Sequence, residues 1–265
     1  MKLWRNTLIG CLTAIMFLLM SSVSNAQTIN DIVKRGKVLI GVNSGAPPFS
    51  FVDSNGKAEG LDVDLGNLFG HYLGVPVEIT TYTTAARIPA LQAKKVDLLI
   101  ATLTATPERA KAVMFTGSYN VFPIVIAGHK GATFGSIADL HGKKVGVAGG
   151  TPQEAALMQA VPKDAVLSRF GDDLTAAQAL LTGQVDAVAI PETIYKEIVK
   201  SKPDADIAIK LSLHDFFQSI AVRTGSFELL QWLNTTLAYV KGNGELDKIS
   251  MKWTGHPMSK NMPVF

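Results

Sequence analysis

Short apolar runs alternate with amphipathic stretches along the chain from Ile29 onward. The apolar runs have the length of buried strands and cover residues 37–42, 75–80, 121–127, 145–148, 165–170, 185–190 and 219–223. Helical spacing of apolar residues occurs between Gly60 and Gly74 and over 174–181, 228–240 and 246–253. This alternation of strands and helices predicts an α/β fold with a largely parallel sheet.

The pattern restarts after Lys130, which divides the chain into two similar halves. Each half supplies a strand, a polar turn and a Thr-Pro helix start, at Thr106-Pro107 and at Thr151-Pro152. A threonine followed by proline in the first turn is typical of a helix N-terminus. Two such N-termini could bind one anion from opposite sides of a cleft. The alternative is that both threonines are ordinary helix caps.

Residues 100–109, with the sequence IATLTATPER, combine the groups that recognise a small anion. They place the hydroxyls of Thr102 and Thr104, a helix start at Thr106 and the guanidinium of Arg109 within ten residues. A planar cation, hydroxyl donors and the positive end of a helix dipole favour a carboxylate ligand. Taken alone, the segment is equally compatible with a capped surface helix and a solvated arginine.

Residues 1–26 have the pattern of a secretory signal peptide. Lys2 and Arg5 precede an apolar run that is too short for a membrane span, and small residues end the segment at Ala26. Cys11 is the only cysteine, so the mature chain would have neither a disulfide nor a thiolate metal site. The segment therefore predicts export to the periplasm.

The composition points to a folded protein with a small ligand. The chain has 265 residues, of which 47% are apolar and 18% charged, enough for a sizeable core. Removal of residues 1–26 takes two of 25 basic and none of 22 acidic residues, leaving 23 basic and 22 acidic ones, a net charge of +1. Without a basic cluster, nucleic acid and anionic membranes are poor partners.

No set of residues in the sequence suggests catalysis. The five histidines are scattered, and none has zinc-like spacing with acids or other histidines. Ser44 and Ser50 have no activating base nearby in the sequence, and Gly149-Gly150 is too short for a phosphate loop. We therefore expect no catalytic residues, no metal and no cofactor.

Seven short motifs carry a resemblance to a known family. They are PPFSF at 47–51, GLDVDL at 60–65, IPAL at 88–91 with Val96-Asp97, TATPER at 104–109, GKKVGV at 142–147 with Gly150-Thr151, VDAV at 185–188, and GEL at 244–246 with KWTG at 252–255. With these motifs in order, the mature chain resembles, essentially end to end, the periplasmic polar amino-acid-binding proteins of ATP-driven importers (bacterial solute-binding protein family 3).

The resemblance implies a type II periplasmic binding protein fold, with two lobes, a ligand cleft between them and two hinge crossings near 122–127 and 219–223. Lobe 1 would comprise residues 27–123 and 222–265, with the C-terminal helices returning to it, and lobe 2 residues 124–221. In the family, the arginine that Arg109 matches pairs with the α-carboxylate of the ligand. The predicted ligand-binding residues are Arg109, Thr104, Thr102, Thr151, Arg87, Glu192, Asn43, Gly150 and Thr84.

The chain departs from the family pattern at three positions. Ala46 replaces an aromatic residue that commonly covers the ligand side chain, and Asn43 replaces a nearby acid. Pro191 stands where an aspartate usually binds the α-ammonium, with Glu192 beside it. Because Arg87 matches an arginine that binds side-chain carboxylates in aspartate- and glutamate-binding members, we expect an acidic or amide amino acid, with a dicarboxylate lacking the amine as the second choice.

The sequence thus predicts a monomeric, non-enzymatic solute-binding protein that captures an amino acid by lobe closure and delivers it to importer membrane subunits. One alternative is a cyclohexadienyl dehydratase-like enzyme on the same fold. Its general acid would be a glutamate where this chain has Gln153, with Glu154 next to it, and an amide cannot donate the proton. The other alternative is a periplasmic sensing module, which would differ from a transport protein only in its docking partner.

Overall fold

The computed structural model describes residues 28–258 and Met262. The predicted signal peptide, with Cys11, lies outside the described residues. No helix in the described part of the chain combines the length and the apolar character that a membrane crossing requires.

Lobe 1 is built on a parallel arrangement of three strands. β1 lies between β5 and β6, with Val38 opposite Val77 and Ile40 opposite Leu98. The apolar run 96–101 forms a strand only at Leu98–Leu99, after which the backbone turns into the loop that leads to Thr106. The bounds of these strands are Val38–Asn43 for β1, Val77–Tyr82 for β5 and Leu98–Leu99 for β6.

The helices of lobe 1 begin and end where turn and cap residues are found. α2 ends at Gly74, whose φ of 70° is left-handed, as glycine allows and as the sequence predicts. A short helix, α1, and a small antiparallel sheet, β2–β3–β4, are not predicted from the sequence because these elements are short. The bounds are Ile29–Arg35 for α1, Gly45–Ala46 for β2, Ser50–Val52 for β3, Ala58–Glu59 for β4, Leu61–Leu73 for α2, Thr84–Ala86 for a 3-10 turn, Arg87–Gln92 for α3 and Pro107–Ala110 for α4.

Two long antiparallel strands, β7 (Val113–Gly128) and β11 (Ala208–Arg223), run through both lobes. They join β1, β5 and β6 to three strands of lobe 2, β8 (Lys144–Ala148), β9 (Val166–Phe170) and β10 (Ala187–Pro191). The resulting eight-stranded sheet has the order β5-β1-β6-β11-β7-β10-β8-β9. Within these two strands, the sequence predicts only 121–127 and 219–223. The other residues of β7 and β11 include more exposed positions, and they pair mainly with each other. The two hinge crossings are thereby confirmed, and the lobe boundaries at 123/124 and 221/222 stay a prediction.

Lobe 2 places β8 between β9 and β10, both parallel to it, and β10 also pairs antiparallel with β7. Each of its parallel strands is followed by a helix, as the sequence pattern predicts. The bounds are Ile137–Leu140 for a 3-10 turn, Lys144–Ala148 for β8, Pro152–Ala160 for α5, Val166–Phe170 for β9, Asp173–Leu181 for α6, Ala187–Pro191 for β10 and Glu192–Ser201 for α7.

The two C-terminal helices, α8 (Phe227–Gly242) and α9 (Glu245–Thr254), pack against lobe 1. Asp64 of α2 accepts hydrogen bonds from Lys252 and from the indole N–H of Trp253, each at 2.6 Å. These contacts agree with the return of the chain to lobe 1 that the family resemblance implies, and the assignment of residues 222–265 to lobe 1 stays a prediction.

Apolar side chains fill both faces of the sheet. One continuous core extends through both lobes and contains Ile40 and Val42 of β1 and Ala187 and Ala189 of β10. The opposite face is covered in lobe 2 by a cluster around Val188, and in lobe 1 by a third cluster. Alternate residues of a strand thus enter different cores, which explains why the strands read as continuous apolar runs.

Candidate functional site

The ends of β1, β5 and β6 in lobe 1 face the loops that precede α5 and α6 in lobe 2. The lobes touch directly, since the Arg109 guanidinium donates to the Gly150 carbonyl at 2.7 Å and the Thr84 N–H donates to the Gly171 carbonyl at 3.3 Å. A Cβ atom added at Gly45 would lie 2.6 Å from the Asp172 carboxyl carbon. The structure is therefore a closed form with a narrow cleft.

Arg109 lies half-buried at the first turn of α4, where Thr106 accepts a hydrogen bond from its N–H at 3.2 Å. Its guanidinium donates to the Thr104 carbonyl at 2.9 Å and to Gly150 across the cleft. No acidic side chain among the described residues forms an ion pair with it. Desolvation, with the nearby Arg87 cation, lowers its pKa to about 9, so a bound anion would be attracted to an uncompensated charge.

Thr102 has a left-handed backbone, with a φ of 48°, which is rare for a β-branched residue. Its N–H donates to the Asp62 carboxylate at 3.0 Å, and its carbonyl accepts from Arg87 at 3.1 Å. These two bonds stabilise the turn that ends β6. The strained residue lies within the predicted site, where such backbone outliers concentrate.

Asn43, Thr84 and Thr102 form one hydrogen-bonded group. The Asn43 amide nitrogen lies 3.3 Å from both threonine hydroxyl oxygens, and its amide oxygen accepts from the Gly45 N–H at 2.9 Å. Asn43 is buried at the end of β1, and the two hydroxyl groups donate to no described residue. The structure thus brings together three residues that the sequence predicts as ligand-binding, with two hydroxyl hydrogens free for a further acceptor.

Arg87 lies at the start of α3 and is 2% exposed, so it is not a solvated arginine at a helix entrance. Its Nε donates to the Thr84 carbonyl at 2.9 Å, and its Nη1 donates to the carbonyls of Ala101 and Thr102. Burial lowers the pKa of Arg87 to about 10, although the carboxylates of Asp173 and Asp62 oppose this shift. Arg87 is therefore a buried cation that organises the two loops of lobe 1.

Two acids at the start of α2 have different surroundings. Asp64 forms outer contacts with Lys252 and Trp253, whereas Asp62 is fully buried. Its carboxylate accepts from Ser50 at 3.1 Å, from the Thr102 N–H and from Tyr119 at 2.8 Å. Burial outweighs these hydrogen bonds and raises its pKa to about 7. Helical spacing alone did not reveal that this acid lies beneath the binding loop.

The wall of lobe 2 is formed by the loop before α5. Thr151 caps α5, since its hydroxyl accepts from the Glu154 N–H at 3.2 Å and donates to the Ala148 carbonyl at 2.7 Å. This hydroxyl is thus engaged as a cap, and within the described chain the Thr151 N–H has no acceptor. Gly150, at a φ of 74°, donates to Glu154 at 2.8 Å, and Glu154 also pairs with Arg169.

Sequence reasoning missed Asp173, at the first turn of α6. Its side chain is 4% exposed, accepts a hydrogen bond from the Gln153 amide at 3.2 Å and interacts electrostatically with Arg87 of lobe 1. Burial raises the pKa of Asp173 to about 7. An acid after a capping aspartate looks like a surface helix start in the sequence, so only the lobe arrangement reveals it.

Glu192 forms no hydrogen bond or ion pair with the cleft residues described above. It begins α7 after the buried Pro191, and its carboxylate pairs with Lys196 one turn later at 3.0 Å. The described residues also contain no group of three His, Cys, Asp or Glu side chains that could hold a metal ion.

A family model described as bacterial extracellular solute-binding proteins, family 3, matches residues 38–256. The L-cystine-binding protein of Escherichia coli (strain K12) is 29% identical over 262 residues, which cover 97% of this chain and 98% of that protein.

Solved structures are similar as well. An ancestral arginine-binding protein bound to glutamine is 37% identical with a TM-score of 0.78, covering 84% of this chain and 99% of that one. An ancestral amino acid-binding protein described as a precursor of cyclohexadienyl dehydratase is 32% identical with a TM-score of 0.79, covering 86% and 99%. These similar proteins are described as binding proteins.

Proposed function

Because the chain belongs to the bacterial extracellular solute-binding proteins of family 3, we propose that it captures an amino acid between its lobes and delivers it to the membrane subunits of an ABC importer. The observation that carries this proposal is the guanidinium of Arg109, which lies at the contact between the lobes without an acidic partner among the described residues. A charge-assisted hydrogen bond to a carboxylate there would contribute on the order of 1.5–3 kcal/mol.

Binding would proceed by a shift between open and closed forms. The ligand carboxylate would bind Arg109 and the free hydroxyls of lobe 1, and closure would add the Thr151 N–H at the start of α5. The Arg109 bond to the Gly150 carbonyl supports this step, because it already connects the lobes in the closed form. A ligand that contacts both lobes stabilises closure, and the importer would recognise the closed form.

The buried charges limit which ligand side chains the site would accept. Arg87 uses two of its three nitrogens on backbone carbonyls, and it lies near the carboxylates of Asp62 and Asp173. A second carboxylate on the ligand would enter a region where these acids already balance the cation. Of the acidic and amide side chains expected from the sequence, we therefore favour the amide, which can both donate and accept hydrogen bonds.

An enzymatic role has less support. Gln153 is buried and donates to Asp173, and Glu154 is engaged by Arg169 and the Gly150 N–H. Neither provides a free general acid of the kind that a dehydratase needs. Measurable turnover of prephenate or arogenate by the purified protein would contradict this part of the proposal.

Transport, export and monomeric state can each be tested directly. We propose that the chain is cleaved after Ala26, acts as a monomer in the periplasm and serves uptake. N-terminal sequencing of the exported protein should begin at Gln27, and gel filtration with light scattering should give one copy. Deletion of the gene should abolish uptake of the ligand; normal uptake would favour the sensing role.

The test of the proposed function is a thermal-shift panel with the exported protein, freed of carried-over ligand by unfolding and refolding. The panel contains the common amino acids, succinate, malate and prephenate. At a concentration of about 100 times Kd, a ligand contributes about 2.7 kcal/mol, or a Tm increase of roughly 5–10 °C. We expect glutamine or asparagine to give the largest increase. Stabilisation only by acids without an amine would contradict the amino-acid assignment.

A further inference from the structure

Asp173 is a buried acid of lobe 2 with a free hydrogen-bond acceptor. It is 4% exposed, and Oδ1 accepts a hydrogen bond from the Gln153 amide at 3.2 Å. Among the described residues, no group donates a hydrogen bond to its second oxygen, Oδ2. Oδ2 does not belong to the fully buried side-chain atoms without a partner in the described chain, which lie in Thr193, Gln218, Ser219 and Arg223. It is therefore open to a further donor that enters the cleft.

The neighbouring cation does not satisfy this acceptor. Arg87 approaches Asp173 from lobe 1 and the two attract each other, but they form no ion pair within 4.0 Å. The Nε and Nη1 groups of Arg87 donate instead to carbonyls of lobe 1. Asp173 therefore faces lobe 1 across the cleft without a direct partner there.

Other acids near the cleft in lobe 2 are already engaged. Glu154 pairs with Arg169, and Glu192 pairs with Lys196 at 3.0 Å. Asp172 caps α6 by accepting from the Thr175 N–H at 2.8 Å. Of these four acids, Asp173 is the one that combines burial, a free oxygen and a position facing lobe 1.

We propose that Asp173 accepts a hydrogen bond from a protonated nitrogen of the bound amino acid, either its ammonium or a side-chain guanidinium. This inference rests on the proposed function, and it makes Asp173 the lobe 2 counterpart of Arg109. Arg87 interacts electrostatically with both Asp173 and Arg109, so the three charged groups lie close to one another. A zwitterion would then contact the Arg109 guanidinium and the open Asp173 oxygen at once and stabilise closure.

The test uses isothermal titration with four probes, L-glutamine, L-arginine and the N-acetyl derivative of each. Acetylation removes the ammonium and leaves the carboxylate and the side chain. The wild-type protein, Asp173→Asn and Asp204→Asn are compared, because Asp204 is an exposed acid of the same lobe and provides the matched charge control. Circular dichroism melting verifies that each variant is folded.

We expect Asp173→Asn to weaken binding of at least one unacetylated probe tenfold or more, to leave N-acetyl-L-glutamine, which has neither protonated nitrogen, within about twofold, and Asp204→Asn to change nothing. A loss for glutamine and arginine but for neither acetylated probe would assign the ammonium, whereas a loss confined to arginine and N-acetyl-L-arginine would assign the guanidinium. If Asp173→Asn does not fold, Asp173→Glu retains the charge near Arg87 and should lose affinity for the same probes, with N-acetyl-L-glutamine unaffected.

Two results would overturn the inference while leaving the proposed function intact. One is wild-type affinity for all probes in the Asp173 variants. The other is an equal loss for all four probes, N-acetyl-L-glutamine included, which would mean general damage to the cleft. A wild-type protein that none of the common amino acids in the thermal-shift panel stabilises would overturn both this inference and the amino-acid function.

Discussion

Arg87 and Arg109 lie in the same lobe, and the Arg87 cation lowers the pKa of Arg109. Their surroundings nevertheless differ. Arg87 is fully buried, donates to backbone carbonyls on two loops and lies near two buried acids. Arg109 is half-buried, donates to one carbonyl of each lobe and has no acidic partner among the described residues. The difference indicates that Arg87 maintains the structure of the site, whereas Arg109 is available to a ligand.

The largest expected effect is that of Arg87→Met, which tests the structural role of Arg87. Loss of this cation leaves Asp62 and Asp173 without their compensating charge and three carbonyls without a donor. We expect the free energy of unfolding to fall by about 3–5 kcal/mol, measured by urea denaturation. Arg109→Met is the matched control, and an equal or smaller loss for Arg87→Met would contradict the structural role.

Arg109→Met should have its main effect on binding. Removal of the charge-assisted bonds to a carboxylate should weaken affinity for the best amino acid of the panel by roughly 10- to 100-fold, while the free energy of unfolding changes by less than about 1 kcal/mol. Titration calorimetry measures the first quantity and urea denaturation the second. Lys111→Met, which removes an exposed cation two residues later, is the control; the same affinity in both variants would exclude Arg109 from the site.

Gly45→Ala tests whether closure itself is required. The new Cβ would meet the Asp172 carboxyl at 2.6 Å in the closed form, so the binding-competent population should fall and affinity should decrease about three- to tenfold. Small-angle scattering should show weaker compaction with ligand. Gly117→Ala, where the nearest atom is 3.9 Å away, should behave like the wild type; normal compaction of Gly45→Ala would contradict the requirement for this contact.

The smallest expected effect concerns pH. Burial raises the pKa of Asp62 to about 7 from 3.8, so its stabilising contribution is fully present below pH 3.8 and is lost as the pH rises through 7. Tyr119, Ser50, the Thr102 N–H and Arg87 face this carboxyl. Relative to Asp62→Asn, the wild type should lose on the order of 1 kcal/mol between pH 6 and pH 7, measured by urea denaturation. Parallel pH profiles of the two proteins would show that the pKa is not raised.

The family, the α/β class and the two lobes could be predicted because they depend on local patterns. Apolar periodicity located seven strands, and the Thr-Pro pairs at 106–107 and 151–152 located two helix N-termini that the structure confirms. The small sheet β2–β3–β4 and the full length of β7 and β11 were missed. The strands of the small sheet are only two or three residues long, too short for a pattern of apolar residues. β7 and β11 are held by pairing with each other over a long sequence separation, which leaves little trace in the order of apolar residues.

The sequence by itself determined which groups are available to bind a ligand: Arg109 after a strand and a threonine cap, Asn43 at the end of β1, and Thr84 beside Arg87. Only the tertiary structure decided the role of each group. It buried Asp62 beneath Thr102, joined Arg109 to Gly150 and brought Asp173 to face lobe 1. The physical reason is that burial and charge balance depend on residues 40 or more positions apart, whose contact arises from strand order and lobe closure rather than from local spacing.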